Sequence, residues 1–98
     1  MLKTLEELIA TIRERKGSLT KASYTNKLLN NKKLSIEKVK EEIAELIEAI
    51  EKNSNKVHEA ADVLYHLVVY LEANDIKIEE VMNELEKRRN GGYKKNNK

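Results

Sequence analysis

The sequence predicts an all-α protein, and three observations carry that expectation. Proline is absent and glycine occurs only 3 times, so little in the chain interrupts a helix. Leu, Ile, Glu and Lys are abundant, and these residues enter helices at little cost. Apolar residues recur at steps of three and four, the helical period. With 98 residues and no internal repeat, the chain makes one domain near the size at which a single core is thin, so association that buries more surface is expected.

Four helices account for the pattern. Leu2, Leu5, Leu8, Ile9 and Ile12 share one face of the first. The stretch RKGSLTKASYTNKLLNNKK then changes character. Its glycine, serines, threonines and asparagines favour turns, and it reads as a loop with one helical turn anchored by Leu28 and Leu29. Ser35 is a suitable N-cap for a second helix, whose stripe of Ile36, Val39, Ile43, Leu46, Ile47 and Ile50 runs to the break at NSN. A third helix runs from about Lys56 to Ala73 and stops at Asn74 and Asp75. The fourth turns Ile78, Val81, Met82 and Leu85 inward and ends at Gly91 and Gly92. Residues 1–92 therefore form the domain, and 93–98, YKKNNK, a flexible basic tail without apolar anchors.

Composition narrows the function classes. Charged residues make up 37% of the chain, yet the net charge is only +2. The signs are mixed, no face is given over to a polyanion, and nucleic acid is not an expected partner. Without cysteine, disulfides and thiolate metal sites are excluded. The apolar runs are too short to span a bilayer, and the segment after Met1 lacks the apolar core of a signal peptide, so a soluble cytoplasmic protein is expected.

The third helix poses the functional question. Its run EAADVLYHLVVYL is apolar nearly all round, yet Glu59, Asp62 and His66 fall within an arc of roughly 60°. An ionised carboxylate near the interior must be paired or meet a cation. On the second helix Glu42 borders the apolar stripe and Glu45 lies beside it, while Glu37, Glu48 and Glu51 point away as a solvated face. A single histidine on an apolar helix is more often a hydrogen-bonded core residue than a ligand, and His66 is read that way. Taken together, Glu-x-x-Glu facing Glu-x-x-Asp supplies four hard oxygen ligands, which suit magnesium completed by water and phosphate.

The segments SYTNKLL, KVKEEIAELIEAI and EAADVLYHLVVYLEANDIKIEEVMNELEKRR resemble the phosphoribosyl-ATP pyrophosphatase family, over about Leu2 to Arg89. That family belongs to the all-α nucleoside triphosphate pyrophosphatases of the MazG type, whose signature corresponds to Glu42, Glu45, Glu59 and Asp62 here. Lys40 and Ile43 depart from its pattern, which has glycine and alanine at those places. The resemblance implies a four-helix, MazG-like NTP pyrophosphatase bundle completed by dimerisation. It implies hydrolysis of phosphoribosyl-ATP to phosphoribosyl-AMP and pyrophosphate, the second step of histidine biosynthesis. Expected roles follow: Glu42, Glu45, Glu59 and Asp62 hold Mg2+, and one of Glu42 and Glu45 also orients or deprotonates the water, with Glu41 in reserve. Ser23, Tyr24, Thr25, Lys27 and Lys38 are candidate phosphate and sugar contacts, and Arg88 and Arg89 could grip phosphate in bidentate fashion. The third helix, apolar on too many sides for three short neighbours to cover, argues for a homodimer with the site near the subunit interface. Two other readings are a housecleaning pyrophosphatase acting on other nucleotides and a non-catalytic helical module that binds a partner protein.

Overall fold

A computed structural model describes residues 2–17 and 23–92. Within them the chain forms five helices and no strand: α1 (Lys3–Lys16), α2 (Tyr24–Leu29), α3 (Lys32–Lys52), α4 (Lys56–Ala73) and α5 (Ile78–Gly91). The all-α expectation holds, with one helix more than the sequence pattern suggested. The additional helix, α2, is the helical turn expected in the loop stretch around Leu28 and Leu29, extended to 6 residues; residues 18–22 of that stretch fall outside the described residues. Ser23 caps it, its side chain accepting a hydrogen bond from the Asn26 amide, and Leu28 and Leu29 are buried. Two adjacent leucines outweighed the turn-forming composition around them because their burial is worth more than local propensity.

The start of α3 is also corrected. Asn31, not Ser35, is its N-cap, with the asparagine side chain accepting from the Leu34 amide at 3.0 Å. Ser35 lies inside the helix and is buried. At the far end, Asn53 turns left-handed (φ 54). Its amide donates to Ile50 O and the Ser54 amide to Ala49 O at 2.9 Å, the paired closure that ends a helix sharply. Asp75 ends α4 in the same way, with φ 60 and the Ile76 amide donating to Leu71 O.

The short connection Asn53–Asn55 forces α3 and α4 into an antiparallel hairpin. Helix α4 is the hub, its backbone close to each of the other four, whereas the α5 backbone comes close to that of α4 alone among the described helices. The core gathers Ile9 and Ile12 of α1, Leu28 and Leu29 of α2, and Val68, Val69 and Ala73 of α4. It sits at the C-terminal half of α4. Other apolar positions of the hairpin have no such cover: Ile43, Ile47 and Ile50 of α3 and Leu64 and Leu67 of α4 are exposed. The stripe read on α3 is therefore buried only at Val39 and half-buried at Ile36 and Leu46. Helix α5 is likewise shallower than expected: Ile78 and Val81 are half-buried, while Met82 and Leu85 are exposed. Residues 93–98, read as a tail, lie outside the described residues. Among the described residues no helix is long and apolar enough to cross a membrane.

A forked ion pair joins the ends of three helices. Arg13 of α1 donates through Nε to Glu72 of α4 at 2.8 Å and through Nη1 and Nη2 to both oxygens of Glu79 of α5, at 2.8 and 2.6 Å. Lys16 adds bonds to the Glu72 main-chain oxygen and to Asp75. The Arg13 fork holds the Glu79 carboxyl down at about 2. These contacts fix α4 against α1 and α5, and so orient the face of α4 that meets α3.

Candidate active site

The hairpin geometry brings the four acids together at the boundary where the core ends. Glu42, Glu59 and Asp62 are half-buried and Glu45 is exposed. On α3, Glu41, Glu42 and Glu45 offer ligand atoms within 4.8 Å of one another, and on α4, His58, Glu59 and Asp62 do the same. The two turns face each other, because an antiparallel pair sets the last turns of one helix beside the first turns of the next. Burial first, then the neighbouring charge of Glu45, raises the Glu42 carboxyl above the ordinary range, with Asp62 and Glu59 adding to the effect. The Glu59 carboxyl is raised in the same way, by burial and then by Glu45, with His58 opposing.

Among the described residues no lysine or arginine pairs with Glu42, Glu45, Glu59 or Asp62; Asp62 meets His58 at 3.4 Å, one turn back on its own helix. Glu42 Oε1 and Glu59 Oε1 are buried and have no hydrogen-bond partner among the described residues. Buried carboxylate oxygens left without a donor are costly, and a set of hard oxygens converging from two helices fits a hard divalent cation such as magnesium. Among the described residues, the alternative in which lysines or arginines neutralise these acids is not seen. The flanking glutamates behave as a solvated face: Glu37, Glu48 and Glu51 are exposed, and Glu48 pairs with Lys52. Glu41 pairs with Lys38 at 3.0 Å.

The other expected site residues divide into three groups. Ser23, Tyr24 and Thr25 sit at the start of α2, and their hydroxyls already have partners within the chain. Ser23 caps α2, Tyr24 meets His66 Nε2 at 3.1 Å, and Thr25 bonds the Tyr65 hydroxyl. Lys38 lies one turn before Glu42, close enough to Tyr24 for its charge to act on the phenol, whose ionisation is pushed upward chiefly by burial. Lys27 is exposed in the last turn of α2. Arg88 and Arg89 pair with Glu84 and Glu86 of their own helix, and no contact joins them to the acids among the described residues. Lys40 and Ile43, the two departures from the family pattern, are both exposed, so neither displaces a core residue between the helices. Sequence reasoning missed His58 as a donor beside Glu59 and Asp62. Its spacing, four residues before Asp62, was the available signal.

Fold and site together define an all-α protein in which a central antiparallel hairpin carries a carboxylate cluster between its two helices. Residues 5–89 match the family model for phosphoribosyl-ATP pyrophosphohydrolase, and the chain belongs to that family of hydrolases. It is 46% identical over 87 residues to the phosphoribosyl-ATP pyrophosphatase of Rhodobacter capsulatus, covering 86% of this chain and 84% of that one. The phosphoribosyl-ATP pyrophosphatase of Haloarcula marismortui is 39% identical, with 87% of this chain and 92% of that one covered. The histidine biosynthesis bifunctional protein HisIE of Pyrococcus furiosus is 45% identical over 90% of this chain, a match spanning 42% of the longer protein.

Proposed function

We propose that this chain hydrolyses phosphoribosyl-ATP to phosphoribosyl-AMP and pyrophosphate in histidine biosynthesis, as a magnesium-dependent homodimer of the cytoplasm. One observation carries the reading of the site: the buried, unpartnered oxygens of Glu42 and Glu59, on facing helices of a chain whose relatives bear that activity in their names. Glu42, Glu45, Glu59 and Asp62 are the residues that would hold the metal. Bound there, magnesium supplies neutralisation of the triphosphate and of the leaving pyrophosphate.

The remaining work falls to the chain. A water oxygen forms a bond to the α-phosphorus as the bridging oxygen to the β-phosphorus departs with pyrophosphate, and the water gives up a proton. One of Glu42 and Glu45 takes up that proton or orients the water. Glu45 is the more exposed of the two. Lys38, tied to Glu41 in the free chain, can exchange that partner for a phosphate oxygen, and Lys27 presents a second mobile charge.

The test is release of pyrophosphate from phosphoribosyl-ATP, set against a panel of common and damaged nucleotides, with magnesium and after its removal by EDTA. The expected result is turnover of phosphoribosyl-ATP in preference to the panel and its abolition by EDTA. Preference for another nucleotide points to a housecleaning pyrophosphatase, and inertness toward all of them overturns the enzymatic reading.

A further inference from the structure

Two hydrogen bonds tie the first turn of α2 to adjacent residues of α4, and the chemistry above uses neither. The Tyr24 hydroxyl lies 3.1 Å from His66 Nε2, and Thr25 Oγ1 bonds the Tyr65 hydroxyl. His66 Nδ1 lies 2.8 Å from the main-chain oxygen of Asp62. A carbonyl only accepts, so the ring proton of that contact is on Nδ1, and in the neutral ring Nε2 is left to accept from Tyr24. His66 is buried, held in one tautomer and one orientation. The rings pack as well: Tyr65 and His66 stand edge to face at 4.9 Å between centroids, and Tyr24 lies over Tyr65 at 6.5 Å.

Helix α2 has 6 residues, too few to hold helical form unaided. Leu28 and Leu29 anchor its C-terminal end in the core. Its N-terminal end, beside Glu42 and Lys38, depends on what Tyr24 and Thr25 touch. We propose that the Tyr24–His66 and Thr25–Tyr65 pairs form a latch that holds α2 as a wall of the acid cleft, with His66 and Tyr65 as positioning residues. The hydroxyls of Tyr24 and Thr25 then serve chiefly to dock α2, and the substrate meets a wall whose place they set. This also accounts for a polar Tyr65–His66 pair one turn before Val68 and Val69 of the core.

The proposal rests on the pyrophosphatase reading for its kinetic arm, while its structural arm stands apart from it. Three variants separate the bonds. Tyr24→Phe removes only the hydroxyl. His66→Asn keeps a donor near Nδ1 for the Asp62 carbonyl but nothing that reaches Tyr24, and His66→Gln keeps an acceptor near Nε2 while giving up the Asp62 contact. In hydrogen exchange, the amides of Lys27 to Asn30 should exchange about tenfold faster in Tyr24→Phe and His66→Asn, the consequence of losing one such bond. The KM for phosphoribosyl-ATP should rise by about the same factor, with the double variant no worse than either single. Affinity for Mn2+, read by electron paramagnetic resonance without substrate, should not change, and His66→Gln should stay close to the parent protein in every measurement. A His66→Gln variant as impaired as His66→Asn overturns the latch, as do additive losses in the double variant or Mn2+ affinity that falls in step with KM. Should the parent protein not turn over phosphoribosyl-ATP, the exchange data alone decide: α2 protection unchanged in Tyr24→Phe overturns the proposal, and protection lost in Tyr24→Phe but kept in His66→Gln supports it.

Discussion

Glu59 and Glu42 carry a cost in the metal-free chain that a surface glutamate does not. Each has a buried oxygen without a partner and a neighbouring carboxylate that repels it. Replacing Glu59 or Asp62 by its amide relieves repulsion while removing a ligand. Glu59→Gln and Asp62→Asn should lower pyrophosphatase turnover by about 100-fold or more and weaken Mn2+ binding. Glu59→Gln should also raise the thermal midpoint of the metal-free protein, since an amide at that place costs less to bury than a carboxylate. Calorimetry with and without metal checks the sign: the parent protein should gain stability on adding metal and the variants should not. Full activity in either variant would remove that residue from the site.

At the scale of elements, the Arg13 fork is the contact most exposed to a single change. The Glu72 side chain is 9% exposed while that of Arg13 is 35% exposed, so removing the arginine strands a buried carboxylate, though solvent at the guanidinium screens part of the loss. Arg13→Met should destabilise the fold by about 1–3 kcal/mol in urea unfolding. The lysine substitution should recover only part of that, because one ammonium cannot serve two carboxylates in fork geometry. Acid reports on the same contact. The Glu79 carboxyl is held at about 2 in the fold, below its ordinary value. Its contribution to stability is therefore complete above about pH 4.5 and lost as pH falls toward 2. The difference in unfolding free energy between the parent protein and Glu79→Gln should be constant near neutrality and shrink through that window. A difference that persists at pH 2 would place the contribution elsewhere.

For the whole molecule, the unfinished surface is the set of exposed apolar positions on the hairpin. Ile47 and Ile50 are more than half exposed and Leu64 nearly so, on turns adjoining those that carry the acids. Apolar residues in such number on two paired helices are the surface on which the proposed homodimer would close. Sedimentation at micromolar concentration should report a dimer. Ile47→Asp should yield a monomer that keeps its helix content, since Ile47 takes no part in the core of the single chain, and its activity should fall if the second copy closes the cleft. An active monomer of the parent protein would show that this surface tolerates water as it stands.

Much of this was legible in the residues themselves. The helical period, the asparagines at the NSN break and the spacing of Glu42, Glu45, Glu59 and Asp62 are local properties. Helix type, hairpin formation and the facing of two acidic turns depend on little beyond them. The N-cap at Asn31 is a local bond to the Leu34 amide, whereas the length of α2 was decided by tertiary contact: Leu28 and Leu29 gained more by burial against α1 and α4 than the surrounding Asn, Ser and Thr lost by becoming helical. The partners of Tyr24, Thr25 and His66 were likewise invisible in sequence, because Tyr24 and His66 are separated by 42 residues and no local pattern relates them. Local chemistry determined which helices form and which acids they carry. Only the packing of α1, α2 and α4 around one core decided which hydroxyls are committed within the chain, because a side chain's hydrogen-bond partner is set by distance in space and not along the sequence.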